Sequence, residues 1–193
     1  MSLAHQRKKQ PDVLREQLLL AAARLAIQKG VQGISIEAVA SLAGVSKGGL
    51  QHHFRSKQAL LDALFERAWQ DFLAALTSAI ATDPCERGRA TRAYVRVTAG
   101  MAAADEEPAL WSALTIIMLA DAALRARWSA WIQAHTPLDA AASEEEAAAL
   151  LLCRLAADGL YLNDLQGCHD ISPSLRAATL RQLEHLSYGK NPP

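Results

Sequence analysis

"GVSKGGLQHHFRSK", residues 44–57, decides how the chain is read. Ser46 offers a helix N-cap, and Leu50 and Phe54 recur at the four-residue spacing of a buried helical face. Yet Gly48 and Gly49 stand side by side in that helix, where each glycine costs roughly 1 kcal/mol relative to alanine. Two adjacent histidines, His52 and His53, and a basic step through Arg55 to Lys57 follow. A glycine pair strips side chains from one side of the helix and lets another backbone come close to it.

Working outward, the pattern predicts only helices. The first runs from about Asp12, which caps after Pro11, to Lys29, with Leu14, Leu18, Ala21, Ala22 and Leu25 at helical spacing and Gly30 as the stop. Ser35 caps a short helix, "IEAVASLA", which Gly44 breaks; Ser46 caps the third, ending near His53. Ser56 opens a long fourth helix to about Ala81. Asp83-Pro84 supplies a cap and a first-turn proline for the fifth. Pro108 restarts the chain before "ALWSALTIIMLA", and "DAALRARWSAWIQAH" continues as a seventh helix. Ser143 with Glu146 forms a capping box for an eighth, ended by Gly167, and Ser172-Pro173 starts a ninth that fades near Tyr188. No run alternates apolar and polar residues long enough to suggest a sheet. The expected fold is therefore all-α, about nine helices, with residues 12–57 as one domain, 58–188 as a larger one, and flexible termini at 1–11 and 189–193.

Half of the 193 residues are hydrophobic and the net charge is zero, but the charge is unevenly spread. Through Lys57 there are nine Lys/Arg against three acids, a net +6; the remainder has eleven against seventeen, a net −6. That asymmetry points to a polyanionic partner for the basic part alone. Three scattered cysteines (Cys85, Cys153, Cys168) fit reduced thiols in a cytoplasmic protein better than a disulfide framework or a zinc site. No segment reaches the length of a membrane span, and "MSLAHQRKKQ" lacks the apolar core of a signal peptide.

Helix, glycine-containing turn and second short helix together make a helix-turn-helix, whose second member lies in the DNA major groove. In that arrangement Gly48 and Gly49 admit the sugar-phosphate chain. Ser46 can donate to a phosphate while capping, and Ser35 is grouped with it. Lys47 is a point charge at the groove edge, His52 and His53 reach phosphates, and Lys57 adds charge to the amides opening the fourth helix.

These residues in this order resemble the tetracycline-repressor (TetR) family of bacterial transcription regulators. Its DNA-binding segment typically reads G-V-S-[KR]-G-[TS]-[LF]-Y-x-[HY]-F-x-x-K-x-x-L; here Gly44, Val45, Ser46, Lys47, Gly48, Gly49, Leu50, Gln51, His52, His53, Phe54, Lys57 and Leu60 fill those positions. The match spans about residues 12–65. It departs in having Gly49 for the usual Ser or Thr, which removes a hydroxyl contact, and Gln51 for the usual Tyr. Gln51 can pair bidentately with adenine or hydrogen-bond a phosphate, and both readings stand. The resemblance implies a one-component repressor, a homodimer on a palindromic double-stranded operator, released by a small-molecule effector bound in the larger domain.

The last two helices are the expected dimer surface, because "AAALLLCRLAADGLYLNDLQG" is apolar around most of its circumference. For the effector, Trp69 and the face made by Trp111, Leu114 and Met118 could line a cavity or simply pack a core. Asp158, a carboxylate among leucines and alanines, needs compensation. A lipophilic cation, a salt bridge with Arg154, or a place at the dimer seam would each provide it. No catalytic constellation, metal set or cofactor loop is legible: Cys168-His169 lacks an orienting third group, and His52-His53 lacks the i, i+4 spacing of a metal pair. The competing reading is a constitutive helix-turn-helix protein whose second domain only dimerises.

Overall fold

A computed structural model of the chain describes the backbone of residues 3–101 and 110–189, with side chains from residue 11 onward. Among the described residues there are nine α-helices, one 3-10 turn at Val31–Gly33, and no strand. The helices are α1 (Leu3–Lys29), α2 (Ile36–Leu42), α3 (Lys47–His53), α4 (Lys57–Thr82), α5 (Arg89–Gly100), α6 (Leu110–Ala120), α7 (Ala122–His135), α8 (Glu144–Gln166) and α9 (Pro173–Ser187). The expected restart at Pro108 and the end of the chain beyond Gly189 lie outside the described residues.

Two compact units emerge: residues 1–70 with 106–128, and residues 71–105 with 129–193. The expected boundary after Lys57 is thus replaced by a discontinuous one. The cause is α6, which returns to pack along α1. Ala113, Leu114, Ile117 and Met118 thereby share a core with Leu18, Leu25, Val39, Leu50, Phe54, Leu60 and Leu64. Each such leucine contributes about 1.5–3 kcal/mol on full burial. Packed against α2 and α6, α1 buries Leu18, Leu19, Ala21, Ala22, Ala23, Leu25 and Ala26, far more than the stripe of an ordinary surface helix.

Helix α1 begins at Leu3, not Asp12, and carries Pro11 within it, so the expected flexible segment 1–11 is helical from Leu3. Proline removes one intrahelical donor, while Ala4, Gln6, Arg7, Lys8, Lys9 and Gln10 are good helix formers. The helix stops where Gly30 takes φ 66°, its N–H still donating to the Ala26 carbonyl at 2.9 Å.

In the second unit α5, α8 and α9 pack around Val95, Cys153, Ala157, Leu160 and Leu183. Asp83 does not open the fifth helix, which starts only at Arg89. Its carboxylate turns inward to Arg92, accepting from Nε at 2.7 Å and Nη2 at 3.0 Å, with both side chains essentially sealed from solvent. The same guanidinium donates to the carbonyls of Arg87 and Cys85 and lies 4.2 Å from the Tyr188 ring centre. The residue before α5 is Gly88 (φ 69°), where an added Cβ would stand 2.2 Å from the Ser187 carbonyl oxygen. A glycine cannot cap with its side chain, so Asp139, 49 residues away, accepts from Ala90 N and Thr91 N at 2.9 Å each and from Thr91 Oγ1 at 2.7 Å.

Candidate nucleic-acid interface

The turn between α2 and α3 is a Schellman motif built by the sequence AGV. Gly44, at φ 70°, donates to the Ser41 carbonyl at 3.2 Å, and Val45 donates to the Ala40 carbonyl at 3.0 Å. Val45 then reaches Ser46, whose Oγ accepts from Gly49 N at 3.0 Å and starts α3. Ser35 does the same for α2 through Ala38 N at 3.0 Å, and Ser56 for α4 through Ala59 N at 3.1 Å. Each capping hydroxyl accepts from the backbone and keeps its own proton to donate.

Leu50 and Phe54 pin α3 to the core, and the Arg15 guanidinium lies 5.2 Å from the Phe54 ring centre. The opposite side of the helix presents Ser46, Lys47, Gly48, Gln51 and His52 to solvent, with Gly49 and His53 half-buried. An added Cβ at Gly48 would meet nothing within 4 Å, whereas at Gly49 it would stand 3.3 Å from Ser46 Oγ. Nothing inside the described protein therefore requires glycine at 48. The His52 and His53 rings meet edge to face, 5.6 Å apart.

Two of the expected cationic contacts are engaged elsewhere. Lys57 Nζ donates to the Val31 carbonyl at 2.8 Å, tying α4 to the 3-10 turn, in place of a charge free at the helix start. Lys47 Nζ pairs at 2.6 Å with Glu37, a residue the sequence reading left unassigned. That hydrogen bond is the main reason the Glu37 carboxyl is held below its ordinary value.

The residues named for an effector divide between the units. In the first, Leu114 and Met118 are core residues, and Trp69 is buried beside Trp128 (ring centres 5.5 Å apart), which also meets the half-buried Trp111 at 5.3 Å. In the second, Asp158 accepts from the Tyr94 hydroxyl at 2.7 Å. Of the three compensations open to Asp158, the salt bridge with Arg154 is not the one formed, since that guanidinium donates to the carbonyls of Thr136 (2.5 Å) and Pro137 (2.8 Å). Burial, only partly opposed by Tyr94 and the nearby Arg154 charge, pushes the Asp158 carboxyl above its ordinary range. A groove of about 320 Å³ between α5 and α9 involves Val95, Arg96 and Leu180, not Asp158. On α8, Leu151, Leu152, Leu155 and Leu162 are 37–58% exposed, and Leu175 and Leu186 of α9 are 57% and 43% exposed.

Residues 18–64 match the family of bacterial regulatory proteins described as tetR, and residues 88–188 match the tetracyclin repressor-like C-terminal domain. The structure is similar to that of the multidrug-binding protein EbrR in complex with malachite green. Identity is 20%, the TM-score 0.62, and 90% of this chain and 97% of that chain are covered. It is also similar to the fatty acid degradation regulator FadR from Bacillus halodurans, at 15% identity, with 92% and 95% covered and a TM-score of 0.67. A TetR-family member from Streptomyces coelicolor A3 gives 22% identity, 88% and 97% covered, and a TM-score of 0.60. At these identities the structural likeness bears on the fold; the two matched domains identify the chain as a DNA-binding, non-enzymatic transcription regulator of the TetR family.

Proposed function

We propose that the chain is a one-component repressor that binds a palindromic operator as a homodimer and leaves it when a small lipophilic effector binds. The observation that carries the dimer is the outer stripe of α8. Ala148, Leu151, Leu152, Leu155, Gly159 and Leu162 fall within about a 100° sector of the helix, all exposed. Gly159, inside the stripe, has open space around its missing Cβ, so only something outside the chain benefits from its smallness. A second copy buries such a stripe, with α9 beside it, and a palindromic operator offers that dimer two half-sites about one DNA turn, 34–36 Å, apart. DNA contact falls to Ser35, Ser46, Lys47, Gly48, Gly49, Gln51, His52 and His53, with Lys57 supporting the frame from behind.

For the effector, Asp158 within the second unit is the candidate counter-charge for a cation, with the Tyr94 ring of the same unit as the aromatic surface beside it. The EbrR complex with malachite green supports a ligand of that kind. Release follows only if the ligand favours an arrangement in which the two α3 helices no longer match the groove spacing. The site of action is the cytoplasm, and among the described residues no helix is long and apolar enough to cross a membrane.

Sedimentation at micromolar concentration tests the assembly: twice 20.8 kDa is expected, and a stable monomer contradicts it. A band shift on the promoter of the protein's own gene tests release, with malachite green dissociating the complex. If neither it nor a neutral lipophile of similar size does so, the constitutive DNA-binding reading takes its place.

A further inference from the structure

Glu37 is an acid on a surface meant for a polyanion. It is the second residue of α2, its side chain is 63% exposed, and its carboxylate lies 2.6 Å from the ammonium of Lys47, the first residue of α3. An acid in a first turn complements the helix dipole wherever it points. This one points at the cation best placed to meet a phosphate, and it cancels one charge on the face that must attract DNA.

We propose that Glu37 is a specificity-determining residue that disfavours the wrong duplex by competing with its phosphates for Lys47. The proposal rests on the reading that Lys47 contacts a phosphate. When DNA docks, Lys47 turns from Glu37 to the phosphate, and the released carboxylate is left at the groove edge. Against an arbitrary sequence it has phosphate nearby and no donor. Against a sequence that brings the N4 amino group of cytosine or the N6 amino group of adenine within reach, it accepts a hydrogen bond. The cost of opening the pair is therefore recovered on one class of duplex only, which is discrimination by penalising the alternatives. Non-specific binding, being almost wholly electrostatic, carries that cost in full.

The full-length protein tests this with two short duplexes of equal length, one enriched from a random pool by the wild type and one of mixed sequence. Glu37→Gln should bind the mixed duplex about threefold more tightly near 0.1 M salt, with a log–log salt slope steeper by about one. Its affinity for the enriched duplex should stay or fall, so the ratio of the two affinities drops at least about threefold. In a Lys47→Gln background the gain on the mixed duplex should vanish. Thermal unfolding within about 2 °C of the wild type shows that the fold is intact, since an exposed pair contributes little. Equal gains on both duplexes, no gain on either, or a full gain persisting without Lys47 would each overturn the proposal. If Lys47→Gln alone leaves both affinities unchanged, the phosphate reading of Lys47 falls with it.

Discussion

The first unit starts three of its helices with near neighbours; in the second, Ser143 and Ser172 likewise cap α8 and α9, but α5 takes its cap from a distant residue. Ser35, Ser46 and Ser56 each cap the helix that follows by accepting from the amide three residues on. In the second unit α5 is capped by Asp139 from across the sequence, and Arg154 on α8 fastens the carbonyls of Thr136 and Pro137 after α7. The two units also differ in how deeply one ion pair is buried. The ion pair at the turn between α2 and α3, Lys47–Glu37, is solvent-exposed, whereas Arg92–Asp83 is sealed. The second unit adds exposed pairs such as Arg96–Glu184 to its sealed one, so the contrast lies in the sealed pair and not in where all the charges sit.

The largest effect should come from breaking the sealed pair. Arg92→Ala leaves the interior Asp83 with the longer 3.5 Å pairing to Arg96 and the Cys85 amide, and removes the anchors on the Arg87 and Cys85 carbonyls, a loss of about 3 kcal/mol in urea unfolding. The matching change in the first unit, Lys47→Ala, should shift stability by less than about 0.5 kcal/mol while reducing the salt slope of DNA binding by about one. Comparable losses from the two would erase the contrast.

Removing the distant cap should have an intermediate effect. Asp139→Ala frees Ala90 N, Thr91 N and the Thr91 hydroxyl, for about 1–2 kcal/mol; Ser46→Ala frees one amide, for about 1 kcal/mol. Hydrogen exchange sharpens this comparison. Asp139→Ala should expose α5 amides and leave those of α3 protected, and Ser46→Ala the reverse.

Two acids within the second unit should respond to pH with opposite signs. Hydrogen bonds from Arg92 hold the Asp83 carboxyl below its ordinary 3.8, so its contribution to stability is present at neutral pH and lost as pH falls through the folded value. Burial raises Asp158 above 3.8, so the folded state holds that proton more tightly, and stability falls as pH rises toward the raised value and levels beyond it. Asp158→Asn keeps an acceptor for the Tyr94 hydroxyl and removes the charge. Measured against the wild type, its melting temperature should rise as pH climbs above 3.8, and a difference that stays flat with pH would contradict the assignment.

What the sequence made legible follows distance along the chain, in both units: Ser143, Gly167 and Ser172 act where they were read. Caps three residues from their amides, the glycine at 44 and the inward Leu50 and Phe54 are written within one or two turns, and the structure follows them closely. Asp83-Pro84 reads locally as a helix start, but the buried guanidinium of Arg92 outbids that use of the carboxylate, and α5 waits for Gly88 and Asp139. Asp158 announced itself as an acid needing compensation, yet its partner, Tyr94, is 64 residues away and carries no spacing signal. The return of α6 to α1 was hidden for the same reason: an apolar stripe states that it will be covered, not by which helix.

The central claim is that α3 is thinned by glycine for the sake of DNA and not for the sake of its own fold. Gly48→Ala tests it most directly, because the added methyl meets open space in the protein. The account expects the variant to be more stable by about 0.5–1 kcal/mol, as alanine is in helices, while its affinity for the promoter duplex falls at least about tenfold. A variant that gains that stability and binds the duplex as well as the wild type would contradict the account.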